Sequence, residues 1–281
     1  MSVEAFAPAK VNLTLHVTGR RADGYHLLES LVVFPDVGDR LTFSEADTLS
    51  LEVSGPMADG VPTDASNLCL RAARLLGGTR GARISLEKRL PHGAGIGGGS
   101  SDAGATLRGL AKLWTVPLLS PAATVSLGAD VPVCVGAPKA AVMSGIGEVL
   151  SPAPEMPPFA MLLVNPRVAT PTGAVFAALA AKGDMAAQPM PRMPIRFRDL
   201  EDLVRWLKTT RNDLEEPASE FAPIGAVRAA IEAQADCAFA RMSGSGSTCF
   251  GLFESRAQAD AAAEAIRRSH PEWWISVGDV S

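Results

Sequence analysis

The amino-acid sequence predicts an α+β protein of two domains. The chain has 281 residues, and a domain typically takes about 150. Strand-like alternation and helix-like spacing of apolar residues mix in both halves, without the strict alternation of a doubly wound sheet. A proline-rich stretch, SPAPEMPP at 151–158, is typical of a linker. We therefore predict an N-terminal domain over 1–152 and a C-terminal domain over 153–281.

The first half begins with an extended segment over residues 3–17, where Val11, Leu13, Leu15 and Val17 alternate with polar residues. Other segments with strand character follow at 27–34, 39–46, 48–53 and 82–90. Apolar residues at helical spacing predict three helices, from about Ser66 to Gly77, from the glycine-rich run to Trp114, and from Ser120 to Gly128.

The second half opens with a buried-strand pattern, FAMLLVNP, followed by a helix over 170–181. Residues 183–194 are rich in Met and Pro and are predicted to be a loop. A strand, a glycine turn and a second strand are expected within 237–253. The remaining elements are helices near 199–210, 223–235 and 257–270 and a final strand at 273–278.

Composition excludes several classes of protein. The net charge of −4 argues against a protein that grips a nucleic-acid backbone, which normally carries a basic field. The sequence contains no run of 18 apolar residues, so no membrane span is predicted, and no signal peptide is apparent in MSVEAFAPAK. The four cysteines are scattered without a CxxC pair, which disfavours a zinc site and fits a reducing compartment. We therefore expect a cytoplasmic protein that binds neither nucleic acid nor membrane.

The strongest local signal is the run PHGAGIGGGSSD, from Pro91 to Asp102. Glycine has a high entropic cost on folding, so five glycines within 93–99 are not explained by packing. They allow successive N–H groups to turn toward one anion, and the helix that follows adds free N–H donors and a positive dipole end. A strand, a glycine loop and a helix start together predict a phosphate-binding loop. A flexible hinge is the alternative.

The run does not fit the common nucleotide-binding motifs. The Walker A pattern has no match in the chain. A GxGxxG match starts at Gly93, but no acidic strand end follows at the distance that dinucleotide-binding folds require. The VAIK, HRD and DFG motifs of protein kinases are absent as well.

Several motifs in a fixed order resemble the GHMP kinase superfamily. LPHGAGIGGGSSDAGA is similar to its phosphate-binding motif, and ARMSGSGSTCFGLF is similar to its third motif. PAKVNL, DGYH, LGADVP and GIGE resemble the branch that phosphorylates a cytidine-diphosphate-linked methylerythritol in non-mevalonate isoprenoid biosynthesis. The resemblance runs from residue 5 to about 255. It implies a GHMP-kinase-like fold with the active site in the inter-domain cleft, and a monomer or homodimer.

The resemblance implies transfer of the γ-phosphoryl group of ATP to the 2-hydroxyl of that substrate. Lys10 in PAKVN matches the family's catalytic lysine, and Asp130 in GADVP matches its catalytic aspartate. A sugar-type hydroxyl is a poor nucleophile, so a carboxylate that accepts its proton assists the attack. A neighbouring ammonium keeps that carboxylate ionised and stabilises the developing alkoxide.

The resemblance also assigns residues to ATP and Mg²⁺. Asn67 corresponds to an adenine contact, with a helix N-cap as the alternative. Ser100 and Ser101 are expected to bind phosphate or to reach Mg²⁺, and the sequence does not decide which. The whole set expected at ATP comprises Asn67, Pro91, His92, Gly93, Ala94, Gly95, Ile96, Gly97, Gly98, Gly99, Ser100 and Ser101.

The acceptor side is assigned to Asn12, Tyr25, His26 and Phe176. Tyr25 and His26 match the family's cytidine-recognising pair, since a phenol ring stacks on a base and imidazole bonds its edge. A hairpin anchor is the alternative for Tyr25, and a helix core position is the alternative for Phe176. Gly244–Ser247 either lines the substrate or forms a tight structural turn.

Three rival functions remain at this point. A homoserine-type or mevalonate-type kinase shares the fold, but has little use for the DGYH nucleobase motif. A nucleotide-binding regulator without catalysis predicts loss of Lys10 or Asp130, and both are present. An NAD(P)-dependent oxidoreductase has only the GxGxxG match in its favour.

Overall fold

A computed structural model describes residues 2–182 and 188–281. It mixes helices and strands, which confirms the predicted α+β class. The strands, in chain order, are β1 Ser2–Pro8, β2 Val11–Asn12, β3 His16–Arg20, β4 His26–Val33, β5 Gly38–Ser44, β6 Leu49–Ser54, β7 Ala82–Glu87, β8 Ala141–Ser144, β9 Val149–Pro152, β10 Phe159–Asn165, β11 Phe239–Met242, β12 Cys249–Phe253 and β13 Trp274–Val280.

The predicted helices are found with their ends near the predicted signals, whereas two short helices, Val131–Val135 and Glu215–Ala218, are not among the predicted elements. A short 3₁₀ turn lies at Val125–Leu127. Their bounds are α1 Leu68–Gly77, α2 Gly98–Trp114, α3 Pro121–Thr124, α4 Val131–Val135, α5 Thr172–Ala181, α6 Leu200–Leu207, α7 Glu215–Ala218, α8 Ile224–Glu232 and α9 Arg256–Ser269. None of the helices within the described residues is long and apolar enough to cross a membrane.

The described chain divides into two compact units built from interleaved segments. The first unit contains the chain up to Lys10 together with Gly38–His92 and Gly97–Lys139. The second unit contains Val11–Val37, Gly93–Ile96 and Ala140–Ser281.

This division differs from the contiguous pair 1–152 and 153–281, because Leu15 in the first part of the chain shares a buried cluster with Leu162 and Phe253, and its backbone N–H donates to the Arg211 carbonyl at 2.9 Å. The assignment of ATP binding to 1–152 stays a prediction.

The first unit is a four-stranded sheet covered by helices. The strand order is β1-β5-β7-β6, with β6 and β7 parallel and the other pairs antiparallel. Phe43 and Ile84 of the sheet share a buried cluster with Leu70 of α1 and Leu110 of α2. Gly109 is required here, because a Cβ at this position would lie 2.2 Å from the Phe43 ring. The packed sheet thereby holds α2 close against it.

The second unit contains two sheets. One has the order β2-β4-β8-β9 with β3 also on β4, and the other has the order β11-β12-β10-β13. Every residue of β10 is buried, as its uninterrupted apolar pattern predicts. Helix α9 begins with a capping box, in which Ser255 and Gln258 satisfy each other's backbone N–H groups.

The strand predictions differ from the structure in three respects. Strands β8 and β9 are not among the predicted elements. The extended segment 3–17 is divided into β1, β2 and β3, which pair with different partners. The β8–β9 hairpin ends at Pro152, so the proline-rich stretch begins inside a strand. Residues 188–194 of the predicted Met- and Pro-rich loop have no regular structure, and 183–187 lie outside the described residues.

Candidate active site

Helix α2 starts inside the glycine-rich run, as the sequence predicts. Its N-cap is Gly97, which has a φ of 62° that side-chain-bearing residues rarely adopt. The first backbone bond back along the helix runs from the Ser101 N–H to the Gly97 carbonyl, at 2.8 Å. The N–H groups of Gly98, Gly99 and Ser100 therefore have no acceptor within the helix. These three donors, at the positive end of α2, form a surface of the kind that suits an anion.

Lys10 lies beside this helix start. A Cβ built on Gly97 would lie 3.0 Å from the Cβ of Lys10, so only glycine leaves room for the lysine side chain. The Nζ atom of Lys10 forms an ion pair with Oδ2 of Asp130 at 2.8 Å. The lysine side chain is 5% exposed and the aspartate side chain 38% exposed. The two predicted catalytic residues therefore meet, and the carboxylate remains accessible.

The two serines of the run differ in environment. Ser101 is fully buried and its hydroxyl donates to the Pro8 carbonyl at 2.6 Å, which ties α2 to the end of β1. Ser100 is partly exposed. Of the two hydroxyls that the sequence leaves open for phosphate or Mg²⁺, that of Ser101 is thus occupied by the backbone.

Asn67 is the N-cap of α1. Its Oδ1 accepts from the Cys69 N–H at 2.8 Å, and its Nδ2 donates to the Pro62 carbonyl at 2.6 Å. The helix-cap alternative is therefore realised in the structure, and the adenine contact stays a prediction. Among the remaining residues assigned to ATP, Pro91 is buried and His92 is exposed.

In the second unit, the loop Gly93–Ile96 packs directly against the Ser243–Ser247 turn. A Cβ on Gly95 would lie 2.5 Å from the Gly246 carbonyl oxygen and 2.6 Å from that of Ser243. The Ser243 hydroxyl also donates to the Gly95 carbonyl at 3.1 Å. Backbone meets backbone here, which explains why both segments are glycine-rich. Gly244–Ser247 is therefore a tight turn, and its contact with substrate stays a prediction.

Asn12 also faces this turn. It is buried, and a Cβ on Gly244 would lie 3.3 Å from its Oδ1. Its Nδ2 donates to the Ser30 hydroxyl at 2.7 Å, whereas Oδ1 has no partner among the described residues. The side chain thus offers one unoccupied acceptor.

The residues assigned to cytosine lie in the second unit, and two of them are in contact. The rings of His26 and Phe176 stack at a centroid distance of 4.9 Å and an interplanar angle of 23°. Burial, with a smaller effect of Arg20, lowers the pKa of His26. Phe176 also packs against the core of this unit, as its helix-core alternative predicts, and its contact with cytosine stays a prediction. Tyr25 belongs to the hairpin through its backbone, but 61% of the residue is exposed.

A buried charged cluster near α2 has no local signal in the sequence. Lys88 Nζ binds Oδ2 of Asp39 at 2.5 Å and Oδ2 of Asp102 at 2.8 Å. All three side chains are at most 5% exposed. Oδ1 of Asp39 accepts the N–H groups of Arg89 and Leu90. The three partners lie far apart in sequence, so no spacing rule points to them.

Burial and the neighbouring Asp39 raise the pKa of Asp102 to about 8, against the opposing effect of Lys88. Oδ1 of Asp102 has no hydrogen-bond partner in the described part of the chain. Burial alone would lower the pKa of Lys88, but the two carboxylates more than offset it, so the net direction is upward. We call Lys88, Asp39 and Asp102 the buried triad.

Comparison with known proteins finds relatives that match nearly the whole length of the chain. The GHMP kinases N terminal domain matches residues 67–143, and the GHMP kinases C terminal domain matches residues 192–272. A 4-diphosphocytidyl-2-C-methyl-D-erythritol kinase of Cereibacter sphaeroides is 55% identical over 97% of each chain. The enzyme of the same name from Ruegeria pomeroyi is 53% identical over the full length of both chains.

Solved structures agree with the sequence relatives. A crystal structure of 4-(cytidine 5'-diphospho)-2C-methyl-D-erythritol kinase is 35% identical and superposes with a TM-score of 0.76 over 99% of each chain. Mevalonate kinase of L. major has a TM-score of 0.70 at 15% identity, which shows a shared fold alone. The chain therefore belongs to the GHMP kinase family, within its branch of 4-diphosphocytidyl-2-C-methyl-D-erythritol kinases.

Proposed function

We propose that this chain transfers the γ-phosphoryl group of ATP to the 2-hydroxyl of 4-diphosphocytidyl-2-C-methyl-D-erythritol, in the non-mevalonate route to isoprenoid precursors. The observation that carries the proposal is the Lys10–Asp130 ion pair beside the start of α2, in a chain similar to such kinases over its whole length. A cation, an accessible carboxylate and an anion-binding helix end are the groups that phosphoryl transfer to an alcohol requires.

Asp130 acts as the general base. Its side chain is 38% exposed, so a substrate hydroxyl is able to approach within hydrogen-bond distance. As the hydroxyl oxygen attacks phosphorus, its proton moves to the carboxylate. Lys10 binds Asp130 at 2.8 Å and stabilises the negative charge that develops on the attacking oxygen.

The glycine-rich run binds the phosphates of ATP. The unpaired N–H groups at the start of α2 donate to phosphate oxygens, and the helix dipole favours their charge. Because the Ser101 hydroxyl is bonded to Pro8, we assign side-chain contact with phosphate or metal to Ser100 and main-chain support to Ser101. The other members of the run, Pro91 to Gly99, shape the loop.

Mg²⁺ fits this set of residues. Within residues 2–182 and 188–281, no three His, Cys, Asp or Glu side chains come together as a metal-binding cluster. A magnesium ion of phosphoryl transfer needs no such cage, since it binds one or two protein oxygens, water and the substrate phosphates. The Ser100 hydroxyl and the Asp130 carboxylate are accessible oxygens of that kind. When bound with ATP, Mg²⁺ neutralises charge on the phosphates.

The acceptor is recognised by side chains of the second unit. Tyr25 presents a largely exposed ring suited to stacking on cytosine, and the stacked His26–Phe176 pair supplies a flat apolar surface with one polar edge. Asn12 supplies an acceptor for a hydroxyl group. A homoserine or mevalonate kinase has no base to recognise, so these aromatic groups favour the cytidine-containing acceptor over those rivals.

ADP release decides between the candidate acceptors. The purified chain is incubated with Mg-ATP and with the cytidyl compound, homoserine or mevalonate in turn. We expect ADP release that depends on the cytidyl compound and is near background with the other two. Release with homoserine or mevalonate instead would favour a different kinase of the family. No acceptor-dependent release with any of the three would favour a nucleotide-binding regulator. Cytoplasmic location and a monomeric or homodimeric state stay predictions.

A further inference from the structure

Asn12 of β2 is held by two serines of the second unit. Its side-chain Nδ2 donates to Ser30 Oγ at 2.7 Å, and its backbone N–H donates to Ser243 Oγ at 3.1 Å. Ser30 comes from β4, which pairs with β2 so that Asn12 lies opposite Val32. Ser30 is two residues from Val32 and projects to the same side of the strand. Strand register thus brings the Ser30 hydroxyl to the Asn12 amide.

Counting protons determines the orientation of the amide. A serine hydroxyl has one proton to donate, and Ser30 donates its proton to the Thr14 carbonyl at 2.6 Å. Toward Asn12 it is therefore an acceptor. An Asn side chain turned by 180° would place its oxygen against Ser30, where no proton remains. The network accordingly fixes Nδ2 toward Ser30 and Oδ1 away from it.

The opposite oxygen of this amide is left without a donor. Oδ1 of Asn12 is buried and has no hydrogen-bond partner among the described residues. It faces Gly244, where a Cβ would stand only 3.3 Å away, and Gly244 has a φ of 55°. A buried acceptor without a donor is unfavourable, and a ligand that brings an O–H to it relieves that cost. The unpaired oxygen of Asn12 therefore favours a ligand group that has a proton to donate.

We propose that Ser30 is a positioning residue for the acceptor substrate: by accepting the Asn12 amide protons and giving its own proton to Thr14, it presents Asn12 Oδ1 to a hydroxyl of the polyol. The proposal rests on the proposed function. Ser30 is fully buried and its hydroxyl is engaged by the Thr14 carbonyl and the Asn12 amide, so its influence acts through Asn12. Ser30 has no signal in the sequence, since its role depends on which carbonyl takes its proton.

Ser30→Ala tests the proposal by removing the acceptor that holds the amide. The amide of Asn12 is then free to rotate, so we expect the KM for the cytidyl acceptor to rise about tenfold while the KM for ATP changes less than twofold. Thr124→Val is the matched control, because Thr124 is also fully buried and also donates to a backbone carbonyl, that of Pro121 at 2.7 Å. It should change neither KM.

Acceptors that lack one hydroxyl separate positioning from general loosening. The wild type is compared with Ser30→Ala on analogues deoxygenated at C1 and at C3 of the polyol. We expect the wild type to discriminate against one analogue by about tenfold, and Ser30→Ala to reduce that discrimination at least fivefold. Equal discrimination by both proteins, or an equal rise of both KM values, would overturn the proposal. If Ser30→Ala does not fold, Ser30→Cys, whose sulfur is a weak acceptor of similar shape, should shift the same quantities in the same direction.

A measurement without turnover separates this proposal from the proposed function. In ¹⁵N-labelled protein, the side-chain amide signal of Asn12 is identified by its loss in Asn12→Asp. We expect its protons to exchange with water at least tenfold faster in Ser30→Ala than in the wild type. If the wild type releases no ADP but the exchange differs, the acceptor is wrong and the positioning of the amide stands. If exchange is equally fast in both proteins, Ser30 does not hold the amide.

Discussion

Two lysines stand beside the start of α2, and their carboxylate partners differ in access to solvent. Lys10 packs at Gly97, and Lys88 lies behind Gly98, where a Cβ would be 3.5 Å from its Nζ. Both lysine side chains are at most 5% exposed. Asp130, the partner of Lys10, is 38% exposed, whereas the two partners of Lys88 are at most 5% exposed.

The difference separates a group that reacts from groups that hold structure. A base must be reachable by the hydroxyl that it deprotonates, and only Asp130 of these three carboxylates is. Asp39 accepts two backbone N–H groups in addition to Lys88, so it joins β5 to the segment that precedes the glycine-rich run. The buried triad therefore supports the position of α2, and we propose the Lys10–Asp130 pair as the one that performs chemistry at its end.

Removing the cation of the buried triad should have the largest effect on stability. Lys88→Met leaves two buried carboxyl groups without their partner, so we expect the free energy of unfolding to fall by about 3–5 kcal/mol. Urea unfolding measures it. Lys112→Met, at the exposed last turn of α2, is the control and should change it by less than about 0.5 kcal/mol. A loss below about 1 kcal/mol for Lys88→Met would show that the triad does not support this region.

At Asp130, the exposed carboxylate, we expect a large loss of activity with a small loss of stability. Asp130→Asn should lower kcat about 10²-fold or more, because the general base is lost. The amide oxygen of Asn is still able to accept from Lys10, and Asp130 makes no side-chain cap bond to α4, so the free energy of unfolding should fall by no more than about 1–2 kcal/mol. Steady-state ADP release and urea unfolding give the two values. Near-wild-type turnover would mean that another group accepts the proton.

The pH dependence of stability distinguishes the triad further. The pKa of Asp102 is raised to about 8, above the value of about 3.9 in an unfolded chain, so the folded protein binds the extra proton. The free energy of unfolding therefore falls as pH rises toward 8, by at most about 1.4 kcal/mol per pH unit. Asp102→Asn does not titrate, so we expect its stability relative to the wild type to improve between pH 6.5 and 8.

His16 does not interfere in that window. Burial lowers the pKa of His16 to about 4, so its own contribution is lost as pH falls below about 6.5. Chemical unfolding of both proteins at several pH values gives the difference. A difference that is constant across the window would contradict the raised pKa of Asp102.

The smallest effect concerns a neutral polar group of the same unit. Asn67→Ala removes the N-cap of α1 and should lower the free energy of unfolding by about 1 kcal/mol, whereas Asn67→Ser keeps a cap and should not. Both variants remove an amide from the predicted adenine contact. A raised KM for ATP in Asn67→Ser, at unchanged stability, would show that Asn67 has both roles. An unchanged KM would leave it as a cap alone.

Elements that depend on residues near one another in sequence are predicted better than contacts between residues far apart in sequence. Helix α9 is found at Arg256–Ser269 against a prediction of 257–270, because its spacing and caps are local signals. The GADVP and PAKVN motifs led to Lys10 and Asp130 through resemblance, and the two side chains do meet. The buried triad and Ser30 were missed, because each depends on which distant strand brings its partner.

Two other outcomes show where local rules fail. Residues 3–17 are extended in part, as the alternation predicts, but β1 pairs with β5 whereas β2 with Asn12 pairs with β4 in another sheet. The alternation does not indicate which strand is the partner. Asn67 satisfied two hypotheses from sequence, and only the bond from the Cys69 N–H shows that the cap is formed. Tertiary contacts decide which donor pairs with which acceptor, and a sequence motif does not contain those contacts.

The division between a reacting pair and a supporting triad is tested most directly by comparing Asp130→Asn with Asp39→Asn in the same two assays. We predict that Asp130→Asn loses about 10²-fold or more in kcat, while its unfolding free energy falls by no more than about 1–2 kcal/mol. Asp39→Asn should lose several kcal/mol of stability and, while folded, less than tenfold in kcat. If Asp39→Asn lost as much kcat as Asp130→Asn while fully folded, the division between a reacting pair and a supporting triad would be contradicted.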